Sequence, residues 1–548
     1  MLADATTVPD GEIVRTDVCI IGAGPVGITL ARELSAAKVD VVLLERGSSD
    51  PGSEREDPGT IVNVGLRYPL PDTRAFGIGG SIHSWLVDTP FGGGMGRLRE
   101  LDEEDFQHRD WIPYSGWPFS KDELRPYYPR ARALFDSSPP GTRDDDSWDA
   151  IQADSRLTGA TGRICVRTFT FGNPAVFASE HRRQLEHRDS VLVLTNAVAA
   201  TMQGYGRQAS GVTVVTEGTS FTVVARTYVL AAGALETARI LLCSQWSDSQ
   251  GLGNEYDLVG RFFMEHPHYT SGLLIPQDEG LYAEGEEHRV YLREGIAVQR
   301  KYGLAPEVER QEGLQRSVLM LHPTVRSARL GLLGYSDRGA RAIHQALDLR
   351  DRIRSEGITP GSVAAAVRSA PSAPYVLRFG TLKVWERLGR RAGWRRFTHP
   401  QAFKMTVMAE QLPNPESRLT LTPRRDRFGL AIGALDWRLR DEEVAGLRRT
   451  QTLIGAAFED AVSVRVRSLL DRRESLPGLI GGAHHMGTTR MHDSPRHGVV
   501  DRHGRLHSTT NVYVAGGATF PTVGYANPTL TTLALALRLA DHLLKADR

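Results

Sequence analysis

Cysteine is scarce: three stand in 548 residues, Cys19, Cys165 and Cys243, far apart and with no C-x-x-C pair. That excludes a disulfide framework and a zinc ribbon, and it fits a reducing compartment. Net charge is nearly absent too, since 66 Lys and Arg face 65 Asp and Glu for a balance of +1. No global attraction to nucleic acid is therefore expected, and partners are expected to be small molecules. No uninterrupted apolar run is long enough to span a bilayer. Met1 to Arg15 is polar and acidic, without the basic start and apolar stretch of a signal peptide, so a cytoplasmic location is expected. What remains is ordinary globular composition, 41% hydrophobic and 24% charged with 7% aromatics. The length leaves room for a sizeable core and for a large two-domain enzyme.

The chain opens as β-α-β. Thr16 to Ile21 is a β-rich run, glycines follow, Ile28 to Ala36 has helical character, and Val39 to Glu45 is a second apolar run. A second segment of the same domain is read from Ser190 to Gly260, where Thr227 to Ala234 reads as a strand leading into a helix over Glu236 to Cys243. A third runs from Asn511 to the C-terminus, with the strand Val512 to Val514 and an apolar helix from Pro528 to about Leu544. A domain assembled from separated segments leaves the intervening chain to form another. No internal repeat is evident. From Arg326 to Arg396, fourteen arginines and one lysine face five acidic residues. This stretch reads either as a surface helical insertion with a solvated basic face or as a lid, a docking surface or a contact with anionic lipid.

The glycines after the first strand form G-x-G-x-x-G: Gly22 for the tight turn, Gly24 for close approach of backbone to a pyrophosphate, Gly27 for helix-on-strand packing. Pro25 and Val26 open the helix, whose free N–H groups and dipole suit phosphate. Glu45, eighteen residues after Gly27, stands where an acidic side chain accepts from ribose hydroxyls, with Arg46 beside it. The motif by itself does not separate FAD from NAD.

Near the C-terminus, Asn527-Pro528-Thr529 reads as a helix start, with asparagine as N-cap and proline at the first helical position. Its electropositive end would stabilise negative charge on a reduced flavin. Oxidising an alcohol also requires a base for the hydroxyl proton, and an imidazole suits that task. His484 or His485, in His484-His485-Met486-Gly487-Thr488-Thr489-Arg490, is the candidate. Neighbouring His492, His497, His503 and His507 form no recognised ligand spacing such as H-E-x-x-H, so no metal is expected.

These blocks, together with Gly79-Gly80-Ser81-Ile82-His83-Ser84-Trp85, Ser115-Gly116-Trp117-Pro118, Ala231-Ala232-Gly233-Ala234-Leu235-Glu236-Thr237-Ala238-Arg239 and Gly260-Arg261-Phe262-Phe263-Met264-Glu265-His266-Pro267, resemble the glucose-methanol-choline (GMC) family of FAD-dependent oxidoreductases over most of the chain. The resemblance implies an α/β fold: a Rossmann-like FAD-binding domain from 1–110, 190–265 and 478–548, and a second α+β substrate-binding domain from 111–189 and 266–477 that contains an antiparallel sheet. It implies His484 as general base, Asn527 as the group orienting the substrate oxygen, and His485 as a substrate-side or supporting residue. The Gly79-Gly80-Ser81 loop, with His83, Ser84 and Trp85, would pass the flavin. Backbone at Ala197-Val198 would meet adenine, Ala232-Gly233 belongs to the central motif, and Gly516-Gly517 with Pro528 and Thr529 would approach the phosphate, ribityl and ring region. Family members with covalent flavin carry a linking histidine four residues after the Gly-Gly pair. Ser84 stands there and His83 is one residue too early, so dissociable FAD is expected. The asparagine variant resembles pyranose oxidase and related sugar dehydrogenases.

The expected reaction is oxidation of an alcohol CH–OH group, of a sugar, glycoside or other polyol, by hydride transfer to flavin N5, with oxygen, a quinone or a protein carrier as electron acceptor. A monooxygenase or a nicotinamide-linked reductase is the rival within enzymes, although no second G-x-G-x-x-G is present. A non-redox lyase or scaffold on the same fold is the more distant one.

Overall fold

The computed structural model describes residues 1–49, 60–89, 94–135, 144–152, 155–159, 161–244, 251–277, 290–324, 402–470 and 478–546, with single positions elsewhere. The basic stretch 326–396 lies outside the described residues except at isolated positions.

The apolar run Val41–Leu44 is buried throughout, as a strand covered on both faces must be. It lies at the middle of a sheet whose order is Leu2–Asp4, Val191–Thr195, Val41–Leu44, Ile13–Ile21, Ser220–Leu230, Gln208–Val215 and Val198–Tyr205, with Val512–Val514 added alongside Ser220–Leu230. Pairing is parallel from Leu2–Asp4 through Ser220–Leu230 and Val512–Val514, then antiparallel in the last two strands. Strands from the start, middle and end of the chain therefore make one sheet. Helix Pro25–Ala36 packs against helix Thr529–Ala546, which brings the two ends of the chain together.

The second sheet is antiparallel. Its order is Val464–Ser468, Pro267–Pro276, Ala402–Ala409, Ser317–Thr324, Ile296–Leu304, Ile164–Gly172, Gly94–Leu98 and Val87–Asp88. Alternation divides its residues cleanly. Tyr302, Leu319, Leu321, Phe403 and Met405 point to one side and pack with Leu447, Ile454 and Phe458 of helix Asp441–Ala461. Phe169, Val318, Met320 and Met408 point to the other side and pack with Tyr525 of the C-terminal segment. Strand Gly94–Leu98 joins this sheet through Ile164–Gly172. A small sheet of Arg418–Arg425, Ala431–Asp436 and Ile61–Asn63 completes the architecture, which combines a Rossmann-like region built from separated segments with an α+β sheet domain. Among the described residues no helix is long and apolar enough to cross a membrane.

Gly27 fixes how closely helix Pro25–Ala36 approaches the sheet, because a first side-chain carbon there would stand 1.9 Å from the Gly22 carbonyl oxygen. The Gly27→Ala variant is expected to lose about 3 kcal/mol or more of stability. A thermal midpoint equal to that of the unmodified protein would contradict this packing.

Candidate active site

Where parallel strands end, their carboxyl edges leave a crevice suited to a ligand. The ends of Ile13–Ile21, Val41–Leu44 and Ser220–Leu230 open onto a cleft of about 1460 Å³, its mouth included. Helices Pro25–Ala36 and Thr529–Ala546 both begin at this cleft, through Pro25 and Val26 on one side and Pro528 and Thr529 on the other. The first of these has no side-chain cap, so its leading N–H groups are left for a ligand. A side chain at Gly24 would meet nothing within 4 Å and would project into space that a pyrophosphate needs.

Glu45 lines the cleft while pinning its wall, accepting from the amides of Ala23, Gly47 and Gly77, each at 2.9 Å. Burial raises this carboxyl above its ordinary range, and the three amides work against that rise. A carboxylate has about four acceptor positions, so one remains for a ribose hydroxyl. Gly22, Gly80, Ser81, Val198, Ala232 and Gly233 line the same cleft, as do Gly516 and Gly517. Gly79 stands behind the wall and donates to the Ala23 carbonyl at 2.8 Å, and Ser84 is turned to the Ser81 carbonyl at 2.7 Å. Gly27 faces the sheet. His83 and Trp85 fall in the short helical turn Gly80–Trp85, with their side chains outside the described residues.

One wall is charged. Arg46, read from sequence as a cofactor residue, lies over the Phe76 ring at 4.7 Å. Beside it, Glu236 is gripped by Arg74 and by Arg239, the latter at 3.1 Å. Burial alone would raise the Glu236 carboxyl, but Arg239, Arg74 and Arg46 outweigh it and hold the group down at about 2.

At the far end of the cleft the C-terminal residues converge. His484 Nε2 and Asn527 Nδ2 are 3.0 Å apart, and His484 Nδ1 lies 2.9 Å from Nδ1 of His266. The other nitrogen of His266 faces the Val523 carbonyl at 3.4 Å. That carbonyl can only accept, so His266 carries its proton on Nε2 and offers a lone pair at Nδ1. His484 then donates from Nδ1, which leaves its Nε2 as an unprotonated acceptor for the Asn527 amide. Burial, followed by His266, His268, His485 and Arg97, pushes His484 well below the ordinary histidine range, and burial pushes His266 down to about 4.

The backbone of His484 is set by Glu265. This carboxylate receives His484 N–H at 2.6 Å, Gly482 N–H at 2.8 Å, His266 N–H at 2.7 Å and the Tyr68 hydroxyl. Burial pushes the carboxyl up to about 7, opposed by these four partners. Three of the four are backbone N–H groups that can only donate, and these favour the anion against the effect of burial.

His485 packs edge-on against Tyr68 at 5.4 Å and lines the cleft, and burial and Arg74 push it down to about 3. Asn527 does not cap the final helix. The first helical bond runs from Thr532 N–H to the Pro528 carbonyl at 2.8 Å, which places the cap at Pro528 and frees the Asn527 side chain for His484.

Sequence reasoning named Glu236 and the Glu265-His266-Pro267 run without giving them a role, and it missed Tyr68 and Arg74. The pair Glu236 and Arg239, three apart on helix Gly233–Cys243, was the one local signal.

Residues 17–250 match the family described as FAD dependent oxidoreductase, and residues 413–536 match GMC oxidoreductase. The fructose dehydrogenase large subunit of Gluconobacter japonicus is 23% identical over 97% of this chain and 98% of its own. The 2-methyl-1,2-propanediol dehydrogenase of Mycolicibacterium austroafricanum is 23% identical over 96% and 95%. The 6'''-hydroxyparomomycin C oxidase of Streptomyces lividus is 35% identical over 26% of each chain. In fold, the crystal structure of pyridoxine 4-oxidase superposes with a TM-score of 0.54 at 17% identity, covering 97% of this chain and 99% of the other. With a cleft that fits a dinucleotide and these matches at both ends, the chain is an FAD-dependent oxidoreductase similar to the GMC family.

Proposed function

We propose that this FAD-dependent oxidoreductase oxidises the CH–OH group of a sugar, glycoside or other polyol, with His484 taking the hydroxyl proton and Asn527 holding the hydroxyl oxygen. The observation that carries the reading is the 3.0 Å approach of His484 Nε2 and Asn527 Nδ2 at the cleft. FAD, when bound, supplies the hydride acceptor, N5 of its flavin ring. A bound alcohol would displace the Asn527 amide from Nε2, donating its hydrogen to that nitrogen and accepting from Nδ2. Asn527 Oδ1 is buried without a partner among the described residues, which leaves that end of the amide for a second substrate hydroxyl.

As the proton arrives, His484 becomes an imidazolium whose Nδ1–H is already directed at His266. The positive charge is spread toward a hydrogen-bonded neighbour rather than left isolated in a buried site. His485, with no direct bond to this chain of partners, is assigned to shaping the cleft. The sugar and diol substrates named for the relatives support the alcohol class. Ser84 at the linkage position supports a dissociable cofactor, and oxygen, a quinone or a protein carrier would take the electrons. The same reading gives 1–110, 190–265 and 478–548 to the cofactor and 111–189 and 266–477 to the substrate.

Anaerobic absorbance spectra with a panel of sugars and simple alcohols test the reaction: one class should bleach the flavin bands, and a flavin untouched by any alcohol would sink the assignment. His484→Ala should retain bound FAD and slow substrate-driven bleaching by about 10²- to 10⁴-fold. Because His484 sits below the ordinary histidine value of about 6.5, it stays unprotonated as pH falls. The bleaching rate is therefore expected to remain level from about pH 8 to about pH 6, and a fall centred on the ordinary value would argue against this base. Gly24→Ala, with open space around it, should leave the thermal midpoint of FAD-free protein unchanged while weakening FAD affinity in equilibrium dialysis.

A further inference from the structure

The antiparallel sheet turns one face toward His484 and Asn527, and that face is basic. Residues directly opposite in an antiparallel pair share a face. Arg97 stands opposite Phe171, Gln299 opposite Phe169, Lys301 opposite Arg167 and His322 opposite Lys404, while Met408 stands opposite His268. This is the face on which Phe169, Met320 and Met408 pack with Tyr525, two residues ahead of Asn527. His268, on the same face, brings its ring to 6.5 Å from that of His484. Among the described residues of these strands, no aspartate or glutamate shares the face. The carboxylates near its edge are already taken, Asp102 by Arg99 and Arg316, and Glu410 by Arg109.

Lys301 is the sharpest feature. Its side chain is fully buried, its Nζ has no hydrogen-bond partner among the described residues, and it lies 3.4 Å over the Phe169 ring. Arg97 spends Nε on the neutral amide of Gln299 at 3.2 Å. An ammonium with three donors and only an aromatic face for company is costly to bury. Burial, with Arg97 and Arg99 close by, accordingly pushes it well below its usual range.

We propose that the alcohol oxidised here carries an anionic group, a carboxylate or a phosphate, which Lys301 and Arg97 receive while its hydroxyl meets His484 and Asn527. The proposal rests on the alcohol-oxidation reading and narrows its substrate class. An anion supplies the acceptors that the Lys301 ammonium lacks, and a guanidinium suits either oxyanion. The same face works against polycationic substrates.

Calorimetric titration of the FAD-loaded enzyme with D-glucose, D-glucuronate and D-glucose 6-phosphate, paired with anaerobic bleaching by each, tests this. One of the two anions should bind more tightly than D-glucose, and which one it is distinguishes carboxylate from phosphate. Lys301→Met, which exchanges an unpaired cation for apolar volume of similar length, should cut that preference by about tenfold or more, and Arg97→Gln should reduce it independently. D-glucose binding as tightly as both anions, or a preference unchanged in both variants, overturns the proposal. If an anion binds in a Lys301-dependent way and yet no alcohol bleaches the flavin, the anion site stands and the oxidation reading fails.

Discussion

The site depends on one buried carboxylate. Glu265 gathers donors from Tyr68, His266, Gly482 and His484, four residues on three stretches of chain that approach one another only in the folded state. Those donors are all neutral, so hydrogen bonds alone compensate the charge; bonds to an ionised acceptor are the stronger kind, and losing one in a buried place is costly. The backbone N–H of Glu265 goes to Gln411 Oε1, which also receives Trp437 Nε1, both at 2.9 Å. His484 thus hangs from a framework that includes the residues just before strand Pro267–Pro276 and the residue just after strand Ala431–Asp436. A polar contact in the middle of a core sets where His484 can point.

Asn527 is held from the opposite direction by a denser set of charges. Tyr525 bonds to Asp102, which Arg316 reaches at 2.8 Å and Arg99 at 2.9 Å; Thr522 Oγ1 donates to the Asp105 carbonyl at 2.9 Å, and Trp117 Nε1 to the Thr522 carbonyl at 3.2 Å. Burial by itself would raise Asp102, yet Arg99, Arg316 and Arg167 hold it well below the usual carboxylate range. Such networks add little net stability compared with apolar packing, but removing one partner is expensive, so they fix geometry. Here they fix a loop of a few residues between the two sheets. The bond from His266 to Val523 closes the circuit, tying the Glu265 framework to this loop and setting the proton arrangement of His484 in the same step.

The parts of the molecule legible in the sequence are those governed by local rules. The alternating and continuous apolar runs gave the parallel strands, and the spacing of Gly22, Gly24 and Gly27 announced the strand-turn-helix. The Asn-Pro pair marked the start of the last helix to within a residue. It misled on the cap, because a helix-capping bond and a bond to His484 compete for one side chain and the local pattern shows only the first. Tyr68, Glu265 and His266 carried no such pattern: Tyr68 meets a partner 197 residues away and His266 one 218 away. Arg97 and Lys301 were unreadable for a related reason. Which face a strand residue occupies depends on the register of a sheet whose neighbours lie far along the chain.

That division has a consequence for how such a protein changes. The groups that line the cofactor cleft sit at strand ends and helix starts of the parallel sheet, where backbone forms most of the lining. The groups around His484 and Asn527 sit on loops tied down by buried charge, and altering one strands its partners. The face of the antiparallel sheet is different: Arg97, Lys301, His322 and Lys404 project from strands whose hydrogen bonds are made by backbone, beside the small apolar cluster of Phe169, Val318, Met320, Met408 and Tyr525, while the larger core lies on the other side, against helix Asp441–Ala461. Replacing them leaves the backbone pairing and that larger core in place. On the proposed function, substrate selection would be altered from that face without touching the contacts that hold His484, Asn527 and the cofactor cleft, and this is where two relatives of one fold are expected to differ most.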